Sequence, residues 1–94
     1  MVTVQIETPR PWDALALVKK LPRYHWYLVE PSAERWDVCV PLEDPPPGGL
    51  PADLRRMIEL WLRERDLGAA TIHAGAETYE LARYGFDLPA SKRD

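Results

Sequence analysis

The chain has no asparagine, one glutamine (Gln5), one cysteine (Cys39) and one phenylalanine (Phe86) in 94 residues. A single cysteine excludes an internal disulfide. No apolar run approaches membrane-spanning length, so no membrane partner is expected. The N-terminus alternates apolar and polar residues and lacks a charged stretch followed by an apolar run. No signal peptide is therefore expected, and the expected location is the cytoplasm. Excess positive charge is missing too: net charge is −3, and the lysines and arginines are scattered. That argues against a phosphate-binding face and against a nucleic-acid partner. Few thermolabile amides and abundant proline fit a heat-adapted host, and a GC-rich genome accounts for them equally well.

What is present is enough for one domain. A chain of this size buries roughly 60–70% of its unfolded surface without help from metal or disulfide. Apolar residues make up 46% of it, ordinary for a globular protein. A single α+β domain is expected over residues 1–89, with a frayed tail over 90–94.

The strongest pattern runs from Leu50 to Gly68. At about 100° per residue, Leu50, Leu54, Met57, Ile58 and Trp61 share one side, with Leu62 at its border. Arg55, Arg56, Glu59, Arg63 and Asp66 lie opposite. Pro51 suits a first turn, and Asp53 meets the positive end of the helix dipole. Gly68 is placed to close the helix in the left-handed conformation.

Val2 to Glu7 alternates as a half-buried strand, with Val2, Val4 and Ile6 on one side. Thr8 is expected to cap a helix from Trp12 to Leu21, whose apolar set is Ala14, Leu15, Val18 and Leu21. Tyr24 to Glu30 reads as a second strand, Pro31 to Glu34 as a turn and Arg35 to Leu42 as a third strand. In the third strand Trp36, Val38, Val40 and Leu42 are assigned inward, and Asp37 and Cys39 outward. Asp44 to Gly49 is a stiff loop. Ala70 to Ala74 is a fourth strand, followed by a turn at Gly75 to Glu77. Thr78 to Leu81 returns as a fifth strand, in competition with a short helix from Glu77 to Tyr84.

This element order predicts a ferredoxin-like βαββαβ sandwich. Two helices would cover one face of a four-stranded antiparallel sheet ordered 4-1-3-2, with an extra C-terminal strand or short helix allowed. Such a plan leaves one sheet face open. The second strand carries apolar residues on both sides, so in either register two sizeable ones remain uncovered at a sheet edge. The candidate binding or interface residues are accordingly Tyr24, His25, Trp26, Tyr27, Leu28, Val29 and Cys39. A second copy of the chain ranks first as their cover. The segment carrying Tyr84, Phe86 and Leu88 ranks second, and a ligand of unknown identity third.

No motif names a catalytic residue, a cofactor or a metal site. His25 and His73 are the only histidines, and neither belongs to a ligand spacing. His25 near Tyr24 and Tyr27 has the makings of an acid or base, but a surface histidine explains it more simply. Cys39 reads as a small apolar filler on the open face. The leading expectation is a non-enzymatic binding or assembly domain that associates through its sheet as a homodimer. A cofactor-independent enzyme of the dimeric α+β barrel type is the alternative, by likeness of plan alone. A free-standing ACT-like ligand-sensing domain is the third.

Overall fold

The computed structural model describes residues 2–32, 35–44 and 50–83, together with the backbone of 87–88. The elements are β1 (Val2–Thr8), α1 (Pro11–Val18), β2 (Tyr27–Ser32), β3 (Arg35–Leu42), α2 (Ala52–Glu64), β4 (Ala69–Ala74), β5 (Glu77–Ala82) and β6 (Asp87–Leu88). All strand pairs are antiparallel, in the order β2-β3-β1-β4-β5-β6. The four-stranded plan is thus enlarged to six strands, and of the two readings of residues 77–84 the structure takes the returning strand over the short helix. A two-residue turn at Gly75 and Ala76 sends the chain back as β5, with Ala74 opposite Glu77. Gly75 takes φ 64°, which costs glycine nothing and would strain a residue with a Cβ. The C-terminal segment then adds β6 beside β5, at the edge opposite β2.

Period-two alternation gives the sheet one apolar face. Val4 and Ile6 of β1, Val38 and Val40 of β3, Ile72 of β4 and Leu81 of β5 are all fully buried there. Both helices pack on this face: Ala14, Leu17 and Val18 from α1, and Leu54, Ile58, Trp61 and Leu62 from α2, join the same core cluster. Trp61 is the largest of the fully buried side chains, and its indole N–H donates to the Asp13 carbonyl at 2.8 Å, tying α2 to α1. Asp13 is itself fully buried, and its carboxylate meets Arg10 at 2.9 Å and Arg65 at 2.7 Å. A carboxylate in that position needs such partners to offset its lost hydration.

Four local expectations are corrected. First, α1 ends at Val18, and Leu17 takes the core place assigned to Leu15, which is 46% exposed. The chain continues in tight turns (Lys20 N–H to Leu17 O, Leu21 N–H to Val18 O), so Leu21 still reaches the core. Second, Thr8 does not cap α1. It ends β1, and its hydroxyl donates to the Trp36 carbonyl at 2.6 Å, while Arg10 holds the cap position.

Third, Asp66, not Gly68, closes α2. Asp66 adopts φ 57°, with hydrogen bonds from Asp66 N–H to Arg63 O and from Leu67 N–H to Leu62 O. That pair of bonds is a Schellman closure. Fourth, β2 begins at Tyr27, so Tyr24, His25 and Trp26 precede the strand. Tyr24 is drawn away from the sheet by a 2.6 Å hydrogen bond from its hydroxyl to Asp53 at the start of α2. The stiff loop lies largely outside the described residues, as do Tyr84, Phe86 and the expected tail.

Candidate functional site on the open sheet face

The second face of the sheet carries the alternate residues of each strand. The register sets them in rows. Val29, Asp37 and Glu7 run across β2, β3 and β1, and Thr71 and Glu80 face each other across β4 and β5. Tyr27, Cys39, Gln5, His73 and Thr78 form the next row. Leu28 belongs to the core side, while Tyr27 is 47% exposed and Val29 half-buried.

This face is polar at its centre, and the polar groups are joined. Arg35 grips Asp37 with two contacts of 3.2 Å, Nε to one carboxylate oxygen and Nη2 to the other. Gln5 donates its side-chain N–H to the same carboxylate at 2.6 Å. Asp37 is fully buried, although it was assigned to an exposed face; Arg35, Gln5 and its strand neighbours cover it. Cys39 was assigned outward as well and is 2% exposed. Burial pushes the Cys39 thiol up, and the charge of Asp37 adds to this against a lowering hydrogen bond with Tyr27. The sulfur is therefore held protonated at neutral pH, the opposite of an activated nucleophile.

From Arg35 the chain of contacts continues. Its Nη1 meets Glu7 Oε1 at 3.5 Å, and Glu7 Oε2 meets His73 Nε2 at 2.6 Å. A carboxylate accepts, so Nε2 carries the ring proton; in the neutral ring Nδ1 then accepts from the Thr78 hydroxyl at 3.0 Å. A Thr–His–carboxylate sequence has the order of a nucleophile, base and orienting group. Here the register alone sets His73 opposite Thr78, so sheet geometry accounts for the contact.

Two cavities border this face. One, of about 220 Å³, lies where β1 ends and β3 and β4 begin, lined by Glu7, Thr8, Pro9, Arg35, Ala69, Ala70 and Thr71. The other, of about 190 Å³, lies at the β2 edge between Leu28, Val29, Glu30 and Trp36. The Trp36 indole N–H donates to Glu30 at 3.3 Å on the same edge.

The structure thus divides the sequence-based candidates. Tyr27, Val29 and Cys39 share the open face, and Tyr27 contacts Cys39. Trp26, 41% exposed, and His25, also exposed, precede β2 at the same edge. Tyr24 is committed to α2 and Leu28 to the core. Gln5, Glu7, Arg35, Asp37 and His73 were not among the candidates. Their common parity on alternating strands was the available signal. Among the described residues no three His, Cys, Asp or Glu side chains converge on a metal-sized site, and no helix is long and apolar enough to cross a membrane. No family model, curated protein or solved structure matches the chain.

Proposed function

We propose that the protein is a small non-enzymatic binding or assembly domain that forms a homodimer through the β2 edge of its sheet. We read its core as a ferredoxin-like unit enlarged by β5 and β6, a plan that hosts many functions and supplies none by itself. The observation that carries the reading is the composition of this edge. Trp26 and Tyr27 are 41% and 47% exposed at the strand that ends the sheet. Beside them Leu28, Val29 and Trp36 line a shallow cavity. The segment at Asp87–Leu88 pairs at the far edge and does not cover them. Exposed aromatic side chains at a sheet edge are of the type enriched at interface centres.

Pro31, near the end of the short strand β2, has no N–H to contribute to a pairing of two β2 strands. The aromatic side chains therefore have to supply most of the contact. A two-fold arrangement is the commonest for such a surface, and a stable one buries on the order of 1,200–2,000 Å² in total. The protonated, buried Cys39 and the structural explanation of the His73–Thr78 contact favour this reading over the dimeric α+β barrel enzyme.

Light scattering at micromolar concentration tests it. The expected result is twice the chain mass, with Trp26→Glu and Tyr27→Glu each giving folded monomers. A monomeric wild-type chain would overturn the dimer. Variants that remain dimeric would overturn its location at β2.

A further inference from the structure

We infer that the cavity at the ends of β1, β3 and β4 is a binding site for a small zwitterion of the α-amino acid class, held between Arg35 and Glu7. This site is separate from the β2 edge and does not depend on the dimer.

The argument begins with how each charge is anchored. Arg35 spends Nε and Nη2 on Asp37, whose carboxylate is fully buried and further fixed by Gln5. That grip holds the guanidinium plane and turns Nη1 toward Glu7. On the other side, Glu7 spends Oε2 on His73 at 2.6 Å, and Thr78 holds the far side of the ring. Both charged groups are thus oriented from behind by residues outside the cavity. Between them remains the longer contact, Nη1 to Oε1 at 3.5 Å, and both residues line the cavity. An ideal charge-assisted pair closes to roughly 2.7–2.9 Å. The cavity therefore presents a cation and an anion side by side, each pre-oriented and loosely engaged with the other.

A ligand that carries both charges on adjacent atoms exchanges this one long contact for two short ones. Its carboxylate takes Nη1 of Arg35, and its ammonium takes Oε1 of Glu7. Pairing of both groups, not net charge, selects the zwitterion. Asp37 already offsets Arg35, so a simple anion entering the cavity would face two carboxylates with one guanidinium. A simple cation would gain Glu7 but would leave Nη1 of Arg35 without a ligand group. A zwitterion engages both. Ala69, Ala70 and Thr71 complete the lining, and residues this small leave space for a short ligand side chain. At about 220 Å³ the cavity is smaller than the roughly 300–1,000 Å³ of sites for drug-sized ligands, which sets the scale at a single small metabolite.

The test is an amide NMR titration of the full chain with each of the standard L-amino acids, and with ethylamine and propionate as probes carrying one charge each. At least one amino acid should give saturable shifts at Glu7, Arg35 and Ala69 to Thr71 below about 10 mM. Ethylamine and propionate should each bind about tenfold or more weakly than that amino acid. Glu7→Gln and Arg35→Lys, with spectra that show the fold retained, should each weaken the amino acid by a similar factor. Absence of saturable shifts at these residues with every amino acid would overturn the site. Equal binding of ethylamine or propionate would overturn the zwitterion, and so would folded variants of unchanged affinity. The wild-type comparison of ligands decides the matter even if a substitution unfolds the chain.

Discussion

Tyr24 and Trp61 show how single side chains hold the helical layer in place. The Tyr24 hydroxyl donates to Asp53, and its pKa is raised from 10.0 to about 12, first by burial and then by the hydrogen bond and charge of Asp53. A folded-state value above the unfolded one means that the neutral phenol favours the folded state. This contribution is complete below pH 10 and is lost as pH rises from about 10 through 12. Denaturant unfolding across that range should show wild type losing more stability than Tyr24→Phe, with the gap between them narrowing as pH rises. An unchanged gap would sever the phenol from Asp53. Trp61 is fully buried, with its N–H on the Asp13 carbonyl. Trp61→Ala should cost roughly 3–5 kcal/mol, through the cavity left behind and the hydrogen bond lost. Melting measurements that show no change would place the indole elsewhere.

At the scale of elements, α2 was the most legible part of the chain and its end the least. Five of its expected core positions (Leu50, Leu54, Ile58, Trp61 and Leu62) are buried, because a long amphipathic stretch repeats its pattern often enough to fix its inward side. The helix α1 spans eight residues, and so short a window accommodates either Leu15 or Leu17 beside Val18; the structure takes Leu17. The closure at Asp66 was missed because glycine is the default for φ above zero, and Gly68 stood nearby. Asp66→Gly should raise stability by about 0.5–1 kcal/mol by removing the left-handed penalty on a residue with a Cβ. Little is lost in exchange, since the Asp66 carboxylate that meets Arg83 is 91% exposed. Chemical denaturation reads the difference directly, and a destabilised variant would mean that the aspartate side chain matters more than its backbone.

The whole molecule depends on pairings that pattern alone does not reveal. Alternation told which residues of each strand share a face, and Gln5, Glu7 and His73 were readable as non-core positions. It did not tell which of them meet. His73 reaches Glu7 across 66 positions of sequence, and only the pairing of β1 with β4 brings them together. The same holds for Gln5 and Asp37, joined through β1 and β3. Pattern alone therefore does not reveal the polar centre of the open face, whereas the apolar residues of β2 stand out in it. If the proposed dimer forms at that edge, its melting temperature should rise with protein concentration, as for any folded state stabilised by association. A melting temperature independent of concentration would count against it.

The position of β1 also governs time. It lies in the interior of the sheet, hydrogen-bonded to β3 on one side and to β4 on the other, although it is the first strand in the chain. During synthesis its first partner follows after some thirty residues, but its second arrives only once β4 has been made. Until then the β2-β3-β1 half presents an open ladder along β1. Loop closure over so long a separation is slow compared with hairpin formation, so the β1–β4 seam is the step at which folding waits. The nascent chain is most open to mispairing and to capture by chaperones in that interval.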